Sequence, residues 1–173
     1  ASTNDAAFGL AIAAGSVLDT DNGAAAFVTA MNVRSEELGL TQTTFNNPTG
    51  LDMSPTEAGA YGSARDVTTL MQYIYQTYPE LLEPTTEYST AITSAQGYTH
   101  EAVNTNYYLS RIPGLIGSKT GYTDLAGGNL VVAFNAGLDR PVIVTVLGST
   151  RHDRFTDVQK LVDATSLHMA SQQ

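Results

Sequence analysis

Apolar residues recur at helical spacing in several stretches of the chain. The first stretch, STNDAAFGLAIAAG, can be capped by Ser2 or Thr3 and ends at Gly15. We expect this helix to bury the face formed by Ala6, Ala7, Leu10, Ala11 and Ala14. A second helix is predicted in NGAAAFVTAMNVRSEELG, with a buried side made of Phe27, Val28, Met31 and Leu38.

The clearest helical pattern lies in SARDVTTLMQYIYQTYP. Ser63 stands at the N-cap position with Asp66 three residues later, and Pro79 stops the helix. A closing helix is predicted from about Arg154 to Met169.

Strand patterns fill the rest of the chain. TQTTFNNPTGLD predicts a short strand followed by a turn, and TEYSTAIT and YTHEAVNT, separated by SAQG, predict a hairpin. Three longer strands are expected at Leu115 to Tyr122, Asn129 to Ala136 and Pro141 to Leu147. Consecutive antiparallel strands covered by helices predict an α+β fold. We expect one domain over residues 1–173, helical to about residue 85, with the hairpin, sheet and closing helix from about residue 86.

Composition narrows the classes of function. The 173 residues are 42% hydrophobic and 14% charged, which is typical of a folded protein. A net charge of −9 argues against a nucleic-acid partner and against an anionic membrane surface. The absence of cysteine excludes disulfides, thiolate metal sites and a cysteine nucleophile. No apolar run approaches the roughly 20 residues of a membrane span, and the first residues lack the pattern of a signal peptide.

Familiar hydrolase and cofactor motifs do not occur in the sequence. It has no G-x-S-x-G, no H-E-x-x-H and no glycine-rich phosphate loop. His100, His152 and His168 fall in a strand, a loop and a helix, so we interpret them as structural or exposed. No cluster of residues implies a metal or an organic cofactor.

The tripeptide KTG, residues 119–121, is the first candidate site, and Lys119 is one of only two lysines. On a strand edge, the Lys119 ammonium and the Thr120 hydroxyl could hold a carboxylate. Gly121 has no side chain, so an extended peptide could approach the backbone closely. Taken alone, KTG also fits an exposed strand end.

The second candidate is STN, residues 2–4, directly before the first helix. Serine and threonine routinely cap helices, so these residues also have a structural interpretation. However, Ser-x-Asn before a helix, followed about 115 residues later by KTG on a strand, is typical of penicillin-interacting serine enzymes, where S-x-x-K accompanies both motifs.

Six segments carry a wider resemblance. From Ser2 to about Val162 the chain resembles the second part of a serine-type D-alanyl-D-alanine carboxypeptidase, one of the low-molecular-mass penicillin-binding proteins. The segments follow the order of that family: STNDAA, NNPTGLD, YGSARDVTTLM, GSKTGYT, GGNLVVAF and VLGSTRHDRFTDVQKLVD.

The resemblance implies a partial β-lactamase/transpeptidase-like fold, with an antiparallel sheet and flanking helices. It also implies acyl transfer, in which the serine of S-x-x-K attacks the penultimate D-Ala carbonyl of a peptidoglycan stem peptide, D-Ala leaves, and water hydrolyses the ester. The implied ligands are stem peptides ending in D-Ala-D-Ala and β-lactams. The implied location is the bacterial cell envelope, outside the cytoplasm.

Specific roles follow from the resemblance. Ser2 matches the serine that relays a proton, and Asn4 matches the amide that holds the substrate backbone. Lys119 and Thr120 match the pair that grips the terminal carboxylate, and Gly121 keeps the strand edge open. Sequence assigns no role to four nearby residues, Tyr122, Asp124, Arg151 and Arg154.

The nucleophile of this family has no counterpart in the sequence. The residues three positions before Lys119 and Lys160 are Ile116 and Asp157, so no Ser-x-x-Lys is present. The resemblance places that motif upstream of Ser-x-Asn, so we expect the chain to be inactive alone. We also expect the strand PVIVTVL to lack a neighbour and to pair with a separate N-terminal fragment or with another copy of the chain.

Two other functions remain open at this point. The chain could be a noncatalytic module that binds carboxylate-ended peptides or β-lactams. It could also be part of a serine β-lactamase, although no candidate is found for the additional carboxylate that class A β-lactamases use.

Overall fold

The computed structural model describes residues 2–171, which contain four α-helices and seven strands. The helices are α1 (Asn4–Gly15), α2 (Gly23–Glu37), α3 (Ala64–Thr77) and α4 (Asp153–Ala170). The strands are β1 (Thr44–Phe45), β2 (Ala60–Tyr61), β3 (Ser89–Thr93), β4 (Thr99–Val103), β5 (Leu115–Thr123), β6 (Gly127–Asn135) and β7 (Pro141–Ser149). No helix in this range is both long enough and apolar enough to cross a membrane.

The chain divides into two compact units. The helical unit comprises residues 3–70 and 123–126. Among the described residues, the sheet unit comprises Ser2, residues 71–122 and residues 127–171. The prediction of a single domain stays a prediction.

Helices α1 and α2 pack through two glycines. A Cβ atom added to Gly15 would lie 1.8 Å from the carbonyl oxygen of Gly23, so the two backbones are in direct contact. Only glycine permits this approach, because any side chain at position 15 would overlap the neighbouring peptide.

The predicted buried face of α1 is wrong in part. Ala11 is fully buried, but Ala6, Leu10 and Ala14 are exposed. The reason is that α1 carries apolar residues all round, so the pattern does not distinguish one face from the other. The buried side is instead set by Ala11 and Gly15, the buried residues of this helix.

Helix α2 lies as predicted, with Phe27, Val28, Met31 and Leu38 all half-buried. Its Asn32 side chain donates to the Phe45 carbonyl and accepts from the Phe45 amide, each at 2.8 Å. The Asn32 side chain thereby takes the place of a neighbouring strand on one side of β1, and β2 pairs with β1 on the other side.

The predicted cap of α3 is present. Ser63 Oγ accepts from the Asp66 amide at 3.1 Å. The buried Asp66 carboxylate accepts from the Gln42 amide at 2.8 Å and from the Thr43 hydroxyl at 2.9 Å. The cap of α3 therefore also fastens the loop before β1.

In the sheet unit, β3 and β4 form the predicted antiparallel hairpin. Strands β5, β6 and β7 form a separate sheet in that order, and β6 and β7 are antiparallel. Helix α4 packs on β6 and β7. Together they enclose a core formed by Ile112, Leu130, Val132, Phe134, Val144, Phe155, Val158 and Val162.

Strand β7 is at one end of this sheet. Within residues 2–171 it pairs only with β6, which confirms the expectation that it lacks a second neighbour there. The Ala136 amide donates to the Arg140 carbonyl at 2.9 Å, and the register pairs Phe134 with Val142. Backbone groups alternate in direction along a strand, so those of Ile143 point away from β6.

Candidate active site

Lys119 is at the centre of the candidate site, on β5. Its ammonium donates to the Ser2 hydroxyl at 2.8 Å and to the Thr120 carbonyl at 2.5 Å. The structure thus brings together three residues that the sequence analysis singled out. A hydroxyl beside an ammonium can pass or receive a proton, so the pair suits acid–base work.

The pKa of Lys119 is lowered below 10.5, the ordinary value for lysine. Removal of water by the surrounding protein is the larger cause, and the positive charge of Arg154 adds to it. The side chain keeps an exposed surface, so solvent still screens the ammonium. A cation in this environment gains from an anionic partner, since a carboxylate would replace the lost hydration.

Arg154 is the second cation of the site. It is buried, and one of its terminal nitrogens donates to the Gly121 carbonyl on β5. In the part of the chain that the structure describes, its Nε has no hydrogen-bond partner. Burial and the charge of Arg151 lower the pKa of Arg154, but a guanidinium stays charged at neutral pH.

Thr120 is held from the side by a second threonine. Its Oγ1 lies 2.5 Å from Thr105 Oγ1, and Thr120 is buried. Two positions earlier on β5, the Ser118 amide donates to Thr85 Oγ1 at 3.0 Å and Asn106 Nδ2 donates to Ser118 Oγ at 3.1 Å. These contacts hold β5 against Thr85 and against the segment that contains Thr105 and Asn106.

Ser2 does not cap α1. The N-cap residue is Thr3, and it makes no side-chain capping bond. The Ser2 hydroxyl instead accepts from Lys119. Asn4 is the first residue of α1 in the helical unit, and its contact with substrate backbone stays a prediction.

Glycines 117 and 121 of β5 differ in what they permit. A Cβ at Gly117 would lie 2.8 Å from Leu82 Cβ, so packing requires glycine there. A Cβ at Gly121 would meet only Asn129, at an ordinary 3.7 Å. Packing among the described residues therefore leaves room for a side chain at position 121, and its role in keeping the edge open stays a prediction.

Sequence analysis missed the contact between Thr105 and Thr120, and it gave Arg154 no role. Thr105 gave no signal because its partner, Thr120, is distant in sequence and threonine is common in hairpins. Arg154 was noted only for its position near the end of the sheet. The sequence around Arg154 gave no such signal, because Asp153 and Asp157 lie close to it in the chain and its burial is visible only in the structure.

Solved penicillin-binding proteins share this fold. Penicillin-Binding Protein D2 from Listeria monocytogenes, in its ampicillin-bound form, is 30% identical with a TM-score of 0.75, and the match covers 95% of this chain and 62% of that one. D-alanyl-D-alanine carboxypeptidase from Mycobacterium tuberculosis H37Rv is 30% identical with a TM-score of 0.77, covering 98% of this chain and 60% of the other. The predicted fold, with antiparallel sheet and flanking helices, is confirmed.

The chain belongs to the D-alanyl-D-alanine carboxypeptidase family, whose family model matches residues 1–151. The D-alanyl-D-alanine carboxypeptidase DacF of Bacillus subtilis is 35% identical over 137 residues, which is 79% of this chain and 34% of that protein. The family inferred from the motifs is therefore confirmed. The chain spans about a third of the length of this curated relative.

Proposed function

We propose that this chain forms the carboxylate-binding part of a serine D-Ala-D-Ala carboxypeptidase, which removes the terminal D-Ala from peptidoglycan stem peptides through an acyl-enzyme. The observation that carries the proposal is the Lys119 ammonium on β5, hydrogen-bonded to both Ser2 and Thr120. Membership of the carboxypeptidase family supports the reaction class.

The cations of the site are suited to a terminal carboxylate. Lys119 and Arg154 lie close enough that the charge of Arg154 lowers the pKa of Lys119. Two neighbouring positive charges repel each other, and an anion between them would relieve the repulsion. This local positive charge lies in a chain whose net charge is −9. The ligand in this proposal is the carboxylate of a D-Ala-D-Ala terminus or of a β-lactam.

Ser2 would serve as the proton relay beside the carboxylate site. Its oxygen accepts from Lys119 and its own proton is free to move to a departing amine. The nucleophile would be the serine of an S-x-x-K motif on another segment, because the sequence of this chain has none. Membership of this family supports a location of the protein in the bacterial cell envelope.

The proposed partner is a polypeptide segment that adds a strand to β7. This strand has the apolar sequence PVIVTVLGS, and within residues 2–171 it pairs on one side only. Either a separately supplied fragment or a second copy of the chain would satisfy the outward backbone groups.

The test of this function is the binding of an acetylated Lys-D-Ala-D-Ala peptide. Nuclear magnetic resonance of the isotope-labelled chain measures the affinity. Lys119→Ala removes a charge-assisted hydrogen bond, so we expect affinity to fall about 10- to 150-fold. Lys160→Ala is the matched control. Lys160 is the only other lysine, and it is an exposed residue paired with Asp157.

Equal affinities of the Lys119→Ala variant and the wild type would contradict the proposal. Equal losses in both lysine variants would point to a general charge effect instead of a site. A noncatalytic peptide binder would give the same Lys119 result, and family membership is what favours the enzyme.

A further inference from the structure

The Thr105 and Thr120 hydroxyls share one short hydrogen bond. Their oxygens are 2.5 Å apart, and either could be the donor. Thr120 is buried, so water cannot readily replace this partner. The direction of the bond decides what the Thr120 hydroxyl can offer to a ligand.

A threonine hydroxyl has one proton to donate and two lone pairs that accept. If Thr120 donated to Thr105, its proton would be consumed and only lone pairs would face a carboxylate. A carboxylate is itself an acceptor, so this arrangement would repel it. If Thr105 donates, the Thr120 proton is available for the carboxylate.

We propose that Thr105 is a positioning residue whose hydroxyl donates to Thr120 Oγ1 and thereby directs the Thr120 proton toward the ligand carboxylate. This inference rests on the proposed function, because it concerns the same carboxylate. The three groups then form one chain, from the Thr105 hydroxyl through the Thr120 hydroxyl to the carboxylate. Each bond in such a chain polarises the next and strengthens it.

The backbone around Thr105 is held firmly enough for this task. The Asn104 side chain donates to the carbonyls of Thr85 and Glu87 at 2.8 and 2.9 Å. Asn104 Oδ1 also accepts from the Asn106 amide at 2.9 Å. The residues on either side of Thr105 are therefore pinned, and its hydroxyl is presented to β5 at a fixed place.

A different arrangement secures the β5 backbone itself. Asn106 binds the Ser118 side chain, and Thr85 binds the Ser118 amide. Because these contacts do not involve the Thr105 hydroxyl, its loss should leave β5 in place. The predicted effect of Thr105 is therefore on the Thr120 proton and not on strand geometry.

The test compares a carboxylate with an isosteric amide. The probes are acetylated Lys-D-Ala-D-Ala and the same peptide with a C-terminal carboxamide, titrated into the labelled chain. We expect the wild type to prefer the acid. Thr105→Val keeps the shape but removes the donor, so we expect the preference for the acid to fall about 3- to 10-fold. Thr105→Ser, which keeps the hydroxyl, should retain it.

Thr99→Val is the matched control. Thr99 and Thr93 form another hydroxyl pair, at 3.2 Å, across the exposed β3–β4 hairpin. This substitution makes the same chemical change in the same unit of the chain, and we expect it to leave the preference for the acid unchanged. If Thr105→Val does not fold, Thr105→Ala removes the same donor without adding bulk.

A double-mutant cycle with Thr120→Val separates action through Thr120 from any other effect. Thr105→Val should cause no further loss in the Thr120→Val background. A Thr105→Val variant that keeps the full preference for the acid overturns the inference and leaves the proposed function intact. The same conclusion follows if Thr105→Val lowers the preference for the acid as much in the Thr120→Val background as in the wild type. A wild type without any preference for the acid overturns the proposed function, and the inference falls with it.

Discussion

At the scale of single residues, Lys119 donates a hydrogen bond to Ser2, which lies 117 positions away in sequence. Both side chains are exposed, yet the protein around Lys119 removes enough water to lower its pKa. A functional lysine is often tuned in this way, because its charge must be available near the pH at which it works.

The lowered pKa predicts how ligand binding depends on pH. Lys119 holds a carboxylate only as an ammonium, so affinity is full below its pKa and is lost as pH rises through it. Because burial and Arg154 lower that pKa, we expect the loss to begin at a lower pH than an ordinary lysine with a pKa of 10.5 would give. Affinity for the acetylated Lys-D-Ala-D-Ala peptide, measured from neutral pH to about pH 11, checks this.

Lys119→Arg is the control for this pH profile. A guanidinium does not titrate in this range, so the variant should bind with an affinity that changes little with pH. If the two proteins lost affinity together, the titrating group would be elsewhere. If the wild type kept its full affinity up to pH 10.5, the environment of Lys119 would not be lowering the pKa of this side chain.

The candidate site could be predicted from sequence only in its parts. The residue types and order of STN and KTG indicated a carboxylate-binding enzyme, and Ser2 and Lys119 do meet. The contact of Thr105 with Thr120 could not be predicted, since it depends on how the hairpin base lies beside β5. Tertiary hydrogen bonds of this kind leave no periodic pattern.

At the scale of elements, the glycine contact between α1 and α2 makes a stability prediction. Gly15→Ala would place a Cβ 1.8 Å from the Gly23 carbonyl oxygen, so we expect a loss of roughly 1–3 kcal/mol in the free energy of unfolding. Gly9→Ala in the same helix meets nothing within 4 Å and should gain roughly 0.5–1 kcal/mol. Urea unfolding followed by circular dichroism measures both.

Opposite signs for the two variants are the essential outcome. If Gly15→Ala were as stable as the wild type, the two helix backbones would not be in contact at that point. A loss in Gly9→Ala would instead show that position 9 is covered by something other than solvent.

The sequence predicted an element well where its ends were marked by capping or turn residues and its apolar residues lay on one face. The strands from residue 115 to residue 149 were placed within two residues at every end, because turns with glycine and proline bound them. Helix α3 was found through its Ser63 cap. The buried face of α1 was not, because a helix that is apolar all round contains no information about which side packs.

At the scale of the whole molecule, the open side of β7 predicts association. The outward N–H of Ile143 is among the groups that a partner strand would bind. We expect sedimentation to show the wild type associating at high protein concentration. Ile143→Pro, which removes that N–H without touching a bond to β6, should shift the equilibrium toward the monomer.

Val144→Pro is the comparison for that experiment. Its backbone groups point toward β6, so this variant should unfold the sheet instead of changing association alone. A wild type that stayed monomeric at every concentration would exclude a second copy as the partner. Association that Ile143→Pro left unchanged would show that another surface is used.

The two outer edges of the β5–β6–β7 sheet are not equivalent. Thr85 Oγ1 accepts from the Ser118 amide of β5, so this backbone donor is not available to an added strand, whereas β7 pairs with another strand only on its β6 side within residues 2–171. Growth of a fibre by edge-to-edge addition needs two usable edges on every molecule. A sheet with one usable edge instead closes after a single self-pairing, as an isologous pair related by a twofold axis. The contact of Thr85 with Ser118 is therefore expected to limit self-association through the exposed apolar strand β7 to a dimer.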